Sequence, residues 1–267
     1  SGGGGGSGSG GGGGAEGGPV TGRLDRLVLA EGVALTGLTA ELSRAGGLSG
    51  RFSASVNGAA RVGGTLSPGQ GGRPALRLTT ADAGAALAAA GAFDEARGGT
   101  ADLTLAPRPG AGRWDGTLVV EGMRVTAAPG LAALLNTISV VGLIEQLNGP
   151  GLLFSTTRAA FRLTPAGVEI TSASAVGPSL GISASGIYDM GQGRIDLQGV
   201  LSPVYFVNAI GQMFSREGEG LFGFNYAVRG AVDDPEISIN PLSLLTPGAF
   251  REIFRADPPR LPEETGR

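Results

Sequence analysis

The chain has 267 residues, of which 51 are Gly, and its formal net charge is −3. Apolar residues make up 41% and charged residues only 16%, which is typical of a globular β-rich protein and not of a disordered one. The chain has no His and no Cys, and its 20 basic residues are all Arg without a basic cluster, so imidazole-based proton transfer and thiolate chemistry are excluded and nucleic acid is not an expected partner.

Glycine marks the first boundary in the chain. Residues 1–18 contain 13 glycines, which predicts a flexible linker because such a tract has no apolar surface to bury. We expect one β domain at 19–255 and a disordered Pro-rich tail at 256–267. The sequence begins with Ser rather than Met, and no stretch reaches the roughly 18 apolar residues of a membrane helix. We therefore expect a fragment whose membrane anchor lies outside it.

The first half of the domain has the alternation of half-buried strands. Between residues 21 and 78, apolar residues alternate with small polar ones and Gly-containing turns lie at hairpin spacing. Asp82 is then predicted to cap a short Ala-rich helix that Gly91 ends. Strands resume at Leu103, and Met123 falls out of phase with Val120, which predicts a bulge at Gly122.

A longer helix and an antiparallel meander follow. Pro129 suits a first helical turn, and apolar residues recur at helical spacing to Ile144, which predicts one helix at 129–147. Alternating strands occupy residues 159–197. We then predict a helix at 204–214, a strand at 221–230, a last strand through Ile237 and Ile239, and a terminal helix from Pro247. The predicted fold is mainly β with a few short helices, as an antiparallel, curved or partly open sheet that forms a groove or an incomplete barrel.

Apolar side chains at every second position are expected to share one face of this sheet. In the strand at 221–230 we place Phe222, Phe224, Tyr226 and Val228 on the apolar face and Asn225 on a wet face. The face is either the filled core of a β-sandwich or a surface that holds lipid. The candidate lipid-binding residues are Phe161, Leu163, Ile182, Tyr188, Ile195, Leu197, Phe222, Phe224 and Tyr226.

Three local motifs resemble chemical sites and are interpreted as turns. Residues 177–181 match G-x-S-x-G, but a nucleophile elbow needs a His and a following helix, and a strand follows here. Residues 218–223 match G-x-G-x-x-G, again before a strand rather than a helix. Asp233, Asp234 and Glu236 offer fewer oxygens than calcium requires. We predict no catalytic residue, no metal site and no cofactor.

The C-terminal third resembles the AsmA-like family of bacterial envelope proteins, in its alphaproteobacterial form. The segments that carry the resemblance are Leu-Ser-Pro-Val-Tyr at 201–205, Asn-Ala-Ile at 208–210, Gly-Glu-Gly-Leu-Phe at 218–222, Tyr-Ala-Val-Arg-Gly at 226–230, Asp-Pro-Glu-Ile-Ser-Ile-Asn-Pro-Leu-Ser at 234–243 and Pro-Gly-Ala-Phe-Arg at 247–251. Residues 81–84, 97–99 and 177–182 also look familial, so the resemblance covers roughly residues 75–255. Residues 19–74 resemble the family only in their general character.

The resemblance implies a non-enzymatic lipid-binding module. It implies a long β-sheet groove on the periplasmic side of the inner membrane, with a role in phospholipid transport between the inner and outer membranes and in outer-membrane biogenesis. Phospholipid acyl chains and the membrane would be its partners, and the helices at 129–147 and 204–214 would plug or cap the groove. The alternative is a structural or assembly module of the cell envelope that binds other proteins and no lipid.

Overall fold

Antiparallel strands make up most of the fold. The computed structural model describes residues 19–30, 32–44, 46–138, 141–203, 223–232 and 234–240. The strands of the first half are β1 (Val20–Ala30), β2 (Val33–Ser43), β3 (Ser49–Val56), β4 (Ala60–Ser67), β5 (Ala75–Thr80), β6 (Ala96–Arg97), β7 (Thr100–Pro107) and β8 (Trp114–Val125). Those of the second half are β9 (Leu152–Thr164), β10 (Gly167–Val176), β11 (Leu180–Asp189), β12 (Arg194–Pro203), β13 (Phe224–Ala231) and β14 (Asp234–Asn240).

All of these strands belong to one open sheet. Their spatial order follows the chain from β1 to β14, except that the short β6 pairs with β8 beside the end of β7. Every pairing is antiparallel. Within the described residues β1 pairs only with β2 and β14 only with β13, so the sheet does not close. The predicted mainly β fold, with an antiparallel, curved and open sheet, is confirmed.

The first helix begins directly after Asp82, the residue predicted to cap it. Helix α1 spans Ala83–Ala89, and the carboxylate of Asp82 accepts a hydrogen bond from the backbone N–H of Ala85 at 3.0 Å. This bond satisfies one of the N–H groups that have no partner at the start of a helix. Gly91, with φ of 64°, follows the helix directly, as predicted.

The prediction of one continuous helix at 129–147 is wrong, because the structure has two helices there. Helix α2 spans Pro129–Thr137 and helix α3 spans Val141–Asn148. The backbone of Ile138, with φ of −94° and ψ of 3°, ends α2. The spacing of apolar residues gave no sign of the break, because both helices bury Leu residues against the same core: Leu134 and Leu135 from α2, Leu143 and Leu147 from α3.

Connections between strands lie at two ends of the sheet, which we call the helix end and the loop end. The helix end carries α1 between β5 and β6, and α2 and α3 between β8 and β9. The loop end carries short connections, such as residues 68–74 between β4 and β5 and residues 108–113 between β7 and β8. The helices pack on one face of the sheet, called the helix face here. The fully buried leucines between the helices and this face are Leu135, Leu143, Leu147, Leu152, Leu180 and Leu201.

An irregularity lies at Gly122, but it is not the predicted bulge. Glu121 pairs with Thr156 and Met123 with Phe154, so the β8–β9 register continues without an inserted residue. Instead Gly122 has φ of 69°, a conformation that costs glycine little. This single backbone distortion lets both Val120 and Met123, three residues apart, belong to the core on the helix face.

Several sequence-based predictions lie outside the described residues. They are the linker at 1–18, the helix at 204–214, the residue Phe222, the helix from Pro247 and the tail at 256–267. Among the helices that the structure describes, none has the length and hydrophobicity to cross a membrane.

Candidate functional site

The strand register places the eight described candidate residues on one face. Phe161 of β9 lies opposite Ile170, which lies opposite Gly186, which lies opposite Leu197 of β12. Residues two apart along a strand share a face, which adds the remaining candidates. These are Leu163, Ile182, Tyr188, Ile195, Phe224 and Tyr226. This is the helix face, because Tyr226 and Ile182 contact the core beneath the helices.

One row of residues crosses the whole sheet on this face and contains only apolar residues and glycine. We call it the outer row because it lies nearer the loop end. From β1 to β14 it consists of Val20, Leu42, Gly50, Leu66, Leu76, Leu105, Gly116, Phe161, Ile170, Gly186, Leu197, Val228 and Ile237. Twelve strand spacings of about 4.8 Å make it about 58 Å long.

A second row, two residues nearer the helix end, has the same character. This inner row consists of Gly22, Ala40, Phe52, Gly64, Leu78, Leu103, Leu118, Ala159, Ala173, Ala184, Gly199, Tyr226 and Ile239. The two rows together form what we call the apolar strip. Sequence reasoning found its second half and omitted its first half from the candidate residues, although the same alternation is present at Leu76 and Leu78.

The outer row is only half-buried. Among the described residues, the buried core clusters and the apolar side chains packed against them do not include Leu66, Leu105, Phe161 or Leu197, but they do include Val228 and Ile237. The helices instead cover the part of the face nearest the helix end, where Leu180 and Leu201 are 1% exposed. From β2 to β12 the outer row therefore presents an apolar surface beside the core, and at β13 and β14 it packs against the core.

Aromatic rings in the strip lie against glycines of neighbouring strands. The ring of Phe161 occupies the space where a Cβ on Gly116 would stand, and Phe52 does the same above Gly64. Each pair is directly opposite in register, the arrangement in which an aromatic ring shields a strand glycine. Because these rings lie flat against the sheet, they form a shallow apolar surface.

We expect Gly116→Ala to lower the free energy of unfolding by about 1–3 kcal/mol, because the added methyl group must displace the Phe161 ring. Urea unfolding measures the change. Gly22→Ala is the matched control, since the space around Gly22 is open, and it should be neutral or slightly stabilising. In a Phe161→Ala background the cost of Gly116→Ala should shrink; an unchanged cost would contradict the proposed contact.

The opposite face of the sheet is polar and carries cross-strand ion pairs. Arg51 contacts Glu41, and Arg229 donates to Asp196 at 2.9 Å. Arg77 hydrogen-bonds Asp102, and this bond lowers the pKa of the Asp102 carboxyl below its usual value. A depression of about 670 Å³ surrounds this pair and is lined mainly by threonines. The charged side chains of Arg77, Asp102 and Glu121 in this lining do not suit an acyl chain.

Part of this opposite face is buried, which corrects the prediction for Asn225. Asn225 lies on the opposite face from Tyr226, as the alternation predicts, but it is only 9% exposed. Its neighbours across the ladder, Gln198, Val200 and Ser202, are also buried. The face is therefore not wet at this position, and Asn225→Asp would not be a silent change. Two-residue periodicity gives the side of a sheet but not what covers that side.

The motifs interpreted as turns that fall within the described residues are turns. Residues 177–179 connect β10 to β11, and the backbone N–H of Gly177 donates to Leu180 at 2.9 Å. A strand follows the G-x-S-x-G motif, as predicted. In the part of the chain that the structure describes, no three acidic side chains are grouped as metal ligands would be.

Comparison of the chain with protein-family models, with curated proteins and with solved structures gives no match.

Proposed function

We propose that this protein binds phospholipid acyl chains along the apolar strip and takes part, without enzymatic activity, in phospholipid transport between the inner and outer membranes. The single observation that supports this function is the outer row, which crosses thirteen strands without a polar side chain and whose side chains from β2 to β12 are half-buried and lie outside the core clusters. Each CH₂ group that leaves water contributes about 0.8 kcal/mol, so a continuous strip binds a chain without directional chemistry.

The cellular setting in this proposal comes from the AsmA-like resemblance of residues 75–255. That resemblance favours a module on the periplasmic side of the inner membrane, attached through an anchor outside this sequence, with a role in outer-membrane biogenesis. The open sheet agrees with the groove that the resemblance implies. The closed helix end and the open outer row give the groove one covered side and one accessible side.

Photo-crosslinking in cells tests the proposal. A photo-reactive amino acid is placed at Leu66 or at Leu105, which are half-buried residues of the outer row outside the core clusters. The matched controls are their neighbours Thr65 and Thr104, which are exposed on the opposite face. We expect phospholipid to be captured at both outer-row positions and at neither control. Capture at none of the four positions, in protein that is folded and functional, would contradict lipid binding.

A structural or assembly role is the second candidate, and strand β1 is the observation that favours it. This edge strand exposes large apolar side chains: Val20 is 68% exposed and Val28 is 64% exposed, and Leu24, Leu27 and Leu29 are also exposed. An edge strand with unpaired backbone groups can pair with a strand of another protein. Crosslinks to envelope proteins through β1, together with no lipid in the strip, would favour this role.

A further inference from the structure

An arginine and a tryptophan meet at the loop end of the apolar strip. The Cζ atom of Arg73 lies 4.6 Å from the centre of the Trp114 ring, within the range of a cation–π interaction. Trp114 pairs with Leu163 and lies two residues before Gly116 of the outer row, so it is on the helix face. The cation therefore lies directly beside the apolar surface.

The position of Arg73 is fixed by the neighbouring loop. Its Nη1 donates to the backbone oxygens of Arg108 at 3.1 Å and Gly110 at 2.8 Å. Among the described residues no carboxylate lies within ion-pair distance of Arg73, and its Nε and Nη2 make no hydrogen bond. A guanidinium held in this way has a pair of donors directed away from its fixed edge, and that pair matches the oxygens of a phosphate.

The two ends of the sheet differ in charge. The described residues of the loop-end connections include four arginines, Arg44, Arg73, Arg108 and Arg113. Carboxylates lie at the adjoining strand ends: Asp115 forms an ion pair with Arg108 at 3.6 Å, Asp189 ends β11 and Asp234 begins β14. The connections and helices at the other end contain Asp82, Asp94, Glu95 and Glu145. Arg73, which lies beside the strip on the Trp114 ring, is therefore the place at the loop end where we expect an anionic group to bind.

Amphipathic aromatic side chains occur at the same end. Trp114 and Tyr188 lie in one row across the sheet, joined through Leu163 and Val168. Each has an apolar ring and a polar group, the combination found where hydrocarbon meets water. The loop end thus has the polarity gradient of a membrane interface, with arginine outermost, then aromatic residues, then the aliphatic outer row.

We propose that Arg73 binds the phosphate of a phospholipid headgroup at the loop end, with Trp114 beneath the headgroup and the acyl chains on the outer row. This inference rests on the proposed function and adds to it a binding site for the headgroup phosphate and an orientation of the lipid. The lipid lies with its phosphate toward the β4–β5 and β7–β8 loops and its chains along the outer row. A lipid without phosphate loses the contact with Arg73 and keeps the contacts with the strip.

Binding of two lipids that differ only in phosphate tests the inference. Phosphatidic acid and diacylglycerol with identical acyl chains are offered to the purified protein, and bound lipid is measured by native mass spectrometry. We expect phosphatidic acid to be preferred by about tenfold, the effect of a charge-assisted hydrogen-bonded pair. Arg73→Gln should bring the preference close to one. Arg51→Gln, which removes an exposed arginine from the opposite face, should leave it unchanged.

The other outcomes separate this inference from the proposed function. Equal binding of both lipids by the unmodified protein, or a preference that persists in Arg73→Gln, overturns the headgroup site and leaves acyl-chain binding intact. Retention of neither lipid overturns both proposals. Inorganic phosphate is the third probe: if it displaces phosphatidic acid and itself binds in an Arg73-dependent way, the site is one for free phosphate and the lipid assignment is wrong.

Discussion

Leu105→Asp is expected to lower the amount of phospholipid bound or transferred by at least about tenfold, because an unpaired carboxylate against hydrocarbon costs several kcal/mol. Leu105 lies near the middle of the outer row, between Leu76 and Gly116. It is half-buried and lies outside both core clusters, so the sheet should tolerate the change better than a core position would. Lipid extracted from purified protein, measured by mass spectrometry, reports the loss.

Thr104→Asp is the matched control for this variant. Thr104 is the preceding residue of β7 and is exposed on the opposite face, so the same charge is placed one position away but in water. Circular dichroism and thermal unfolding establish that both variants are folded. Equal lipid content in folded Leu105→Asp and Thr104→Asp would show that the strip does not hold the acyl chains.

Lipid that moves along the strip, which we call a track, and lipid that stays in one discrete pocket respond differently to where a charge is introduced. If lipid moves along the strip, Leu66→Asp in β4 and Leu197→Asp in β12 should each reduce transfer as strongly as Leu105→Asp. These positions lie on strands far apart in the sheet order, and a path fails wherever it is interrupted. A pocket would be affected only by nearby changes. Loss of transfer at one of the three positions alone would contradict the track.

The sequence predicted the apolar face because strands have the simplest periodicity. Side chains alternate strictly along a strand, so Phe161 and Leu163, or Ile195 and Leu197, must share a side once the strand exists. The tight turns at Gly-containing positions then give neighbouring strands adjacent positions in the sheet. The placement of all eight described candidates on one face follows from these two local rules and the antiparallel register.

Long-range packing accounts for what the sequence did not predict. Burial of Asn225 depends on what covers the second face of β13, and alternation carries no information on that. The break between α2 and α3 preserves the helical spacing of the buried leucines, so periodicity could not detect it. The place of Arg73 above Trp114 brings together residues 41 positions apart in the chain, and neither residue belongs to a motif that would indicate the contact.

The helix end should depend on its buried leucines for stability. We expect Leu143→Ala to lower the free energy of unfolding by about 2–5 kcal/mol, because it removes buried methyl groups and leaves a cavity. Leu143 in α3 is 0% exposed and belongs to the core that joins the helices to the sheet. Val141→Ala is the control within the same helix: Val141 is 62% exposed, and its replacement should change stability by less than about 0.5 kcal/mol. Similar unfolding midpoints in urea for the two variants would mean that α3 is not packed on the sheet as described. A large loss for Leu143→Ala alone would show that the helices close one side of the strip as an integral part of the fold.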